Sequence, residues 1–234
     1  MTNDIQFETF LLVSYKKFSI LVINKSNLQK VYQEDFQFSN YTNHIDWEEL
    51  NNFLNNNIFK IEKILRNFVK NIYLIIDLNY FFPLKISIKK ENFGNRLSLN
   101  SLSYILNEAK HLCRKTLEKK KIIHLIIENY VIDEKHFSKL PINIKCKNFS
   151  LDLKFICLSD DLSKSFENLL KKYQISLKKL VYFNYVKKFA NDIDTDIYNL
   201  SKTIIQGSFE NEVIIVNKNN EKQGFFEKFF NFFS

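Results

Sequence analysis

Three consecutive β-rich runs at the start of the chain restrict its fold more than any other feature. The runs are Thr9–Val13, Phe18–Ile23 and Lys30–Phe38, and the main breaks between them are at residues 14–17 and 24–27. Connections this short join antiparallel neighbours, whereas parallel strands need a crossover of about a dozen residues or more. The opening of the chain therefore predicts an antiparallel meander of three strands.

A long amphipathic helix and a buried strand follow the meander. Asp46 stands three residues before Glu49, which is the spacing of a capping box with Asp in the Ser/Thr position. Apolar residues then recur at helical spacing to about Asn67, and Ile72–Ile76 is typical of a buried strand. The order βββαβ predicts a sheet with a crossover helix, in the α/β (α+β) class.

A second set of elements begins near Gly94. Its strongest strand candidate is Lys121–Asp133, an apolar run that contains His124. The other predicted elements are a β continuation at Leu84–Lys89, a helix capped by Asn100, a strand at Phe149–Leu158, a helix at Leu162–Tyr173 capped by Asp160 or Asp161, a strand at Leu177–Asn184, a short helix at Ile197–Ile205 and a short strand at Glu212–Val216.

The last eleven residues, Gly224–Ser234, have the pattern of a short amphipathic helix. At about 100° per residue, six aromatic side chains share an arc of roughly 160°. They are Phe225, Phe226, Phe229, Phe230, Phe232 and Phe233. Such a helix is about 15 Å long, too short to cross a bilayer, but it can lie in the interface. We predict that these residues bind a membrane, together with Lys222 and Lys228; docking back on the chain's own domain is the alternative.

Charge and cysteine content restrict the partners and the compartment. The net charge of +8 favours an anionic partner, a membrane surface or a nucleic acid, although lysines are spread along the whole sequence. Three cysteines without a C-x-x-C spacing indicate a reducing cytosol and no zinc site. Neither a secretory signal nor an apolar run of about 18 residues is found, so no spanning helix is expected.

No pattern of residues predicts catalysis, a cofactor or a metal. The only glycines are at positions 94, 207 and 224, so no phosphate-binding loop is encoded. We interpret His124 as a core or half-buried strand residue and Cys113 as a packing residue on its helix. Core packing likewise explains the aromatic and basic residues 182–189 better than a nucleic-acid surface. The Asp residues at 160–161 suit a helix cap, and those at 192, 194 and 196 suit a solvated linker.

The order of elements and several short motifs resemble FtsA, the actin-like bacterial protein that tethers the division ring to the membrane. The closest stretch is Lys121–Asp133, where His124, Tyr130 and Asp133 fall at matching places of a family strand pair. The run from Pro141 to Leu153 is similar to the loop and strand that follow, with Asn143 and Cys146 in place of two glycines. The tail resembles the family's membrane-targeting helix.

The resemblance implies a partial actin-like (ribonuclease H-like) lobe with an FtsA-type inserted subdomain. The implied organisation is a first lobe at 1–95, the inserted subdomain at 96–174, a return strand and helix of the first lobe at 175–192, a polar linker at 193–224 and the amphipathic helix at 225–234. The second actin-like lobe is missing, and residues 13–17, where the resemblance places a phosphate-contacting loop with an Asp and small residues, contain no Asp and no Gly. We therefore expect no ATP binding by this chain alone, and the resemblance does not imply direct FtsZ binding.

These observations favour an FtsA-like adaptor that is not an enzyme. We expect a peripheral protein on the cytoplasmic side of the inner membrane, which presents residues 96–174 to division partners of unknown identity and which can self-associate. The alternative is a soluble interaction module related to pilus-type actin-like assembly proteins, with the tail docked on a protein partner. A degenerate ATPase is a third interpretation, which requires nucleotide binding.

Overall fold

The computed structural model describes residues 6–39, 44–141, 143–190, 197–207 and 211–213. The strands are β1 (Phe7–Ser14), β2 (Lys17–Asn24), β3 (Lys30–Gln37), β4 (Asn71–Asp77), β5 (Phe81–Glu91), β6 (Lys120–Ile132), β7 (Lys135–Phe137), β8 (Asn148–Ser159) and β9 (Ser176–Tyr182). The helices are α1 (Trp47–Leu65), α2 (Leu99–Thr116), α3 (Asp160–Lys171), α4 (Phe183–Lys187) and α5 (Ile197–Gln206). The mixed α/β class predicted from the sequence is confirmed.

The first of two compact units contains the described residues up to Tyr80 and those from Asp161 to Lys202. Its five-stranded sheet has the order β3-β2-β1-β4-β9. The predicted meander is confirmed, because β1, β2 and β3 pair antiparallel. Strand β4 is parallel to both of its neighbours, β1 and β9. The chain reaches β4 from β3 through α1, which provides the long connection that a parallel strand requires.

Helix α1 begins and ends where its local chemistry predicts. The Asp46 side chain accepts a hydrogen bond of 2.9 Å from the backbone N–H of Glu49, as the capping-box spacing predicts. The helix ends at Leu65 because Arg66 adopts a left-handed φ of 50°, and the cap N–H donates to the Glu62 carbonyl. The residues of its buried face are Leu50, Phe53, Leu54, Asn57, Ile58 and Ile61.

The second unit contains the described residues from Phe81 to Asp160 and those from Thr203 onward. Its sheet is antiparallel, with the order β5-β8-β6-β7. One face of this sheet packs against α2, whose residues Ile105 and Ala109 are completely buried in the same core as Leu125 and Phe155. The strand predicted at 121–133 is thus the centre of this unit, between β8 and β7.

Three element boundaries differ from the sequence predictions. Ser98, rather than Asn100, caps α2, because its extended backbone lets the hydroxyl accept from the N–H of Ser101. Helix α3 begins at Asp160, so both acidic residues lie in its first turn, where carboxylates suit the helix dipole. Strand β9 ends at Tyr182, because residues 183–187 form the short helix α4.

Strand β5 pairs along its whole length with β8 and belongs to the antiparallel sheet. The sequence prediction placed this segment with the first lobe, whose boundary was expected after residue 95. The assignment could not be made locally, because the same alternating pattern suits either sheet. Among the helices of the described ranges, none has the length and apolar character needed to cross a bilayer.

Candidate functional site

A short segment near the carboxyl end of the described chain is fixed to strand β6. The N–H of Ile127 donates to the carbonyl of Asn211, and the N–H of Val213 donates to the carbonyl of Leu125, each at 2.8 Å. Ile126 and Glu212 are the antiparallel partners of this bridge. The part of the predicted Glu212–Val216 strand that the structure describes therefore lies on the β6 edge, and Val213 joins the core of the second unit.

A buried hydrogen bond between side chains holds the same segment from the other face of β6. Nδ1 of His124 lies 2.7 Å from Oε1 of Glu212. His124 is 1% exposed and Glu212 is 4% exposed, so the pair is almost completely removed from water. The interpretation of His124 as a core strand residue is confirmed. Its partner was missed, and the one signal in the sequence is a carboxylate at the start of an otherwise apolar run.

The predicted membrane-binding residues continue from this anchored segment. Phe225, Phe226, Phe229, Phe230, Phe232, Phe233, Lys222 and Lys228 lie outside the described residues. The described chain reaches Val213 on the edge of β6, twelve residues before Phe225.

Tyr130 and Asp133, the other two residues that carry the family resemblance, have roles in the fold. Tyr130 is buried in the core of the second unit. Asp133 lies in the turn after β6, and its carboxylate accepts from the backbone N–H groups of Asn148 at 2.8 Å and Lys147 at 3.0 Å. These hydrogen bonds, that of Asn148 first, hold the pKa of Asp133 below its usual range. Both residues therefore organise the fold around β6.

The two positions where the family motif has glycine are occupied in different ways. Asn143 has a left-handed φ of 62°, a conformation that glycine adopts readily and that asparagine tolerates better than most residues. Cys146 is buried, and its sulfur lies 3.3 Å from Nδ2 of Asn92. The loop between β7 and β8 therefore keeps a backbone turn at 143 and replaces the second glycine with a packed side chain.

The turn after β1 corresponds to the phosphate loop of the resembled family. Here the Ser14 hydroxyl accepts from the N–H groups of Lys16 at 3.2 Å and Lys17 at 3.0 Å, and it donates to the Lys17 carbonyl. Two backbone N–H groups of this turn are therefore engaged by a side chain of the turn. An anion would have to compete with Ser14 for them.

Asp77 ends strand β4 beside this turn, at the carboxyl end of the parallel strands. Burial raises the pKa of the Asp77 carboxyl, while the nearby ammonium groups of Lys187 and Lys16 oppose this rise. Ligands of open α/β sheets bind at this edge. Residues 13–17 and 182–189 were considered separately in the sequence, and Asp77 was not predicted. Asp77 comes close to Lys16 and Lys187 of these segments only in the folded sheet.

Two cysteines meet inside the second unit. The sulfur atoms of Cys113 on α2 and Cys157 on β8 are 3.8 Å apart, and both side chains are buried. The interpretation of Cys113 as a packing residue is confirmed, because it belongs to the core cluster. Within the described ranges, no group of three or more His, Cys, Asp and Glu residues is arranged to hold a metal ion.

Comparisons with known proteins give likeness in structure alone. No protein-family model matches the chain, and no curated protein matches its sequence. The cytoplasmic domain of EpsL, an inner membrane component of the Vibrio cholerae type II secretion system, is 11% identical with a TM-score of 0.37, over 77% of this chain and 57% of that one.

Two further solved structures show a comparable likeness. A PilM–PilN type IV pilus biogenesis complex has 6% identity and a TM-score of 0.47, over 76% of this chain and 48% of that one. A Bacteroides thetaiotaomicron protein of unknown function with an actin-like ATPase fold has 14% identity and a TM-score of 0.33, over 79% and 55%.

The chain spans about half the length of the solved structures that it matches. None of the three descriptions names FtsA, so that identity is not confirmed. With identities of 6–14%, the activities and partners of these proteins do not transfer to this chain.

Proposed function

We propose that this protein is a membrane-tethered, actin-like adaptor of the FtsA type, without ATPase activity. Its aromatic tail binds the inner face of the cytoplasmic membrane, and its second unit presents a surface to division proteins. The observation that carries this proposal is the attachment of Asn211–Val213 to β6. Because that segment lies within the predicted linker and ends eleven residues before Gly224, where Gly224–Ser234 begins, a force on the tail would be transmitted to the core of the second unit.

The anchored segment is held more firmly than a simple linker requires. It has two backbone hydrogen bonds to β6, a core contact through Val213 and the buried His124–Glu212 pair. A buried polar group is costly unless it is hydrogen-bonded, so this arrangement favours one fixed attachment over a range of loose ones. A fixed attachment is what an adaptor needs in order to hold its docking surface near the membrane.

Affinity for lipid would come mainly from the six phenylalanines of the tail. Full burial of one such side chain contributes about 1.5–3 kcal/mol, so the gross contribution is large before partial burial and helix ordering reduce it. The charges within residues 218–228 contribute little, because Lys218, Lys222 and Lys228 are offset by Glu221 and Glu227.

A pair of substitutions on opposite faces of the tail tests the membrane role. Phe229→Glu places a carboxylate in the middle of the aromatic arc, whereas Asn231→Glu places the same charge on the polar face. In flotation with phosphatidylethanolamine/phosphatidylglycerol vesicles, we expect Asn231→Glu to float like the unaltered chain. Phe229→Glu and a chain that lacks residues 225–234 should stay at the bottom. Equal flotation of all four proteins would refute the membrane anchor.

The adaptor role has its own tests. A fluorescent fusion of the full chain should concentrate at the division site, and a uniform signal in dividing cells would argue against a division role. Titration calorimetry with Mg-ATP should give a flat trace, and a saturable heat would revive the degenerate ATPase interpretation. Capture of one protein partner through the tail, without lipid, would favour the alternative of a soluble pilus-type assembly module.

A further inference from the structure

The positive charge of the chain is concentrated in one short stretch of the second unit. Residues 110–121 contain six cationic side chains and one carboxylate, Glu118. The cations are Lys110, Arg114, Lys115, Lys119, Lys120 and Lys121. Their net charge of +5 is more than half of the +8 of the whole chain, although they occupy only twelve residues. We call this stretch the basic cluster.

The fold places the basic cluster at one end of the second unit. It begins on the last two turns of α2, continues through the connection after Leu117 and ends at the start of β6. Arg114, Lys115, Lys119 and Lys121 are exposed. Lys120 is half-buried, with its ammonium group 3.9 Å from the centre of the Phe82 ring, so its charge remains at this end of the sheet.

Two cations of the cluster are close enough to affect one another. The pKa of Lys110 is lowered by burial and then by the positive charge of Arg114. The stretch itself contains one carboxylate, Glu118, and the backbone N–H of Asp160 donates to the carbonyl of Lys119. Glu108 on α2 is paired with Lys90 at 2.8 Å.

The chain is directed toward the basic cluster where it leaves the described structure. Residues 211–213 run antiparallel to β6, with Val213 opposite Leu125, so the direction of travel is toward Lys121 and Lys120. Lys121 lies about 13 Å from Leu125 at ~3.3 Å per residue. Val213, the last described residue, therefore lies about 13 Å along β6 from the nearer end of the cluster.

We propose that the basic cluster is a second membrane-contact site, which binds the headgroups of anionic phospholipids. This inference rests on the proposed membrane role of the tail and adds its lipid specificity. A single modest anchor gives reversible binding, and stable attachment commonly combines an apolar insertion with a basic patch. Leu112, exposed on α2 within this stretch, supplies apolar surface beside the charges.

The lipid interpretation is preferred to a structural one on the basis of the number of charges. Arg114 and Lys115, in the last turn of α2, suit the negative end of the helix dipole. That effect falls off within one turn, so it does not account for the exposed Lys119 in the connection after the helix. An anionic surface accounts for Lys119 and for the cations at the end of the helix together.

Flotation with vesicles of defined charge tests the cluster. The full chain is compared with the triple variant Arg114→Glu, Lys115→Glu, Lys119→Glu on phosphatidylcholine vesicles that contain 0–40% phosphatidylglycerol. Each cation near an anionic surface is worth about 1 kcal/mol, so loss of the three cations alone corresponds to about a 100-fold weaker partition to the anionic vesicles. The three added carboxylates should weaken the partition further. On pure phosphatidylcholine the two proteins should partition equally.

A matched control separates this site from net charge and from folding. Lys25→Glu, Lys30→Glu, Lys60→Glu changes three exposed lysines of the first unit by the same total charge, and it should keep the preference for anionic vesicles. Circular dichroism must show that both triple variants are folded. If one is not, the corresponding triple Gln variant is used for both sets of residues.

Each outcome of the comparison has one meaning. The basic cluster would be overturned as a lipid site if both triple variants lost binding to anionic vesicles to the same extent. An unchanged preference of the cluster variant for anionic vesicles would overturn it as well. Binding of the cluster to an acidic protein, without binding to anionic vesicles, would also overturn it. Flotation of a chain without residues 225–234 as efficient as that of the full chain would instead refute the tail anchor, so the two failures are distinguishable.

Discussion

The carboxylate of Glu212 lies 2.7 Å from Nδ1 of His124, and the two residues are separated by 88 positions in the sequence. The pair joins the last described segment of the chain to the central strand of the second unit. It therefore links the fold of that unit to the tether that follows.

Removal of the Glu212 carboxylate should loosen this segment. Glu212→Ala deprives a buried ring nitrogen of its partner, which costs about 1–3 kcal/mol in the free energy of unfolding. Glu212→Gln keeps an acceptor oxygen and should cost less, while Glu118→Ala, at an exposed site, should stay within about 0.5 kcal/mol of the unaltered chain. Urea unfolding measures the three changes.

Amide hydrogen exchange measures the local effect of Glu212→Ala on the segment and on β6. The amides of Ile127 and Val213 form the hydrogen bonds between β6 and the segment, so both should exchange faster in Glu212→Ala. The amides of β1 and β2, in the other unit, should keep their protection. Unchanged exchange at Val213 would contradict the anchoring role of Glu212.

Asp133 should stabilise the fold only while it is ionised. Its pKa is held below the usual value by hydrogen bonds from Asn148 and Lys147, so its contribution is complete above about pH 4 and is lost as the pH falls through the depressed value. Asp133→Asn should lower the urea midpoint at pH 7, and the difference should shrink below about pH 4. A difference that does not change with pH would exclude the carboxylate as the cause.

The contribution of Asp77 to stability should depend on pH in the opposite direction. Its pKa is raised by burial, so protonation favours the folded state, and the stability that this gives is present below about pH 4 and lost as the pH rises through the raised value. Asp77→Asn is therefore expected to raise the urea midpoint at pH 7 and to change it little at about pH 3. A lower midpoint at pH 7 would show that Lys187 and Lys16 outweigh burial.

A nuclear magnetic resonance titration of the Asp77 carboxyl provides an independent check. Lys187→Met removes a cation that opposes the effect of burial, so the pKa of Asp77 should rise further in that variant. Lys30→Met, at an exposed site of the first unit, is the control and should leave the titration unchanged.

All three cysteines should be protected from thiol reagents in the native state. Cys113, Cys146 and Cys157 are at most 2% exposed. Burial raises the pKa of Cys146, and the pKa of Cys157 is raised by its hydrogen bond with Cys113 and by burial, which disfavours the reactive thiolate. Reaction with Ellman's reagent should be slow in buffer and should release three equivalents in 8 M urea. Rapid reaction of one thiol in buffer would contradict the packing around it.

Much of the element order follows from local chemistry. The β-rich runs of the meander, the Asp46 cap and the apolar run of β6 can be identified from residues a few positions apart, and the structure has them near the predicted places. The sequence also predicts the aromatic tail, whose residues lie outside the described ranges, and its membrane role stays a prediction.

Most of the strands and helices and the mixed α/β class can be predicted from the sequence, because periodicity and capping depend on neighbouring residues. The folded chain is needed to show that β5 pairs with β8, that Glu212 meets His124, and that Asp77 lies near Lys16 and Lys187. Those contacts depend on strand order and register between distant segments, and a pattern that alternates every two residues does not encode which partner strand it will meet.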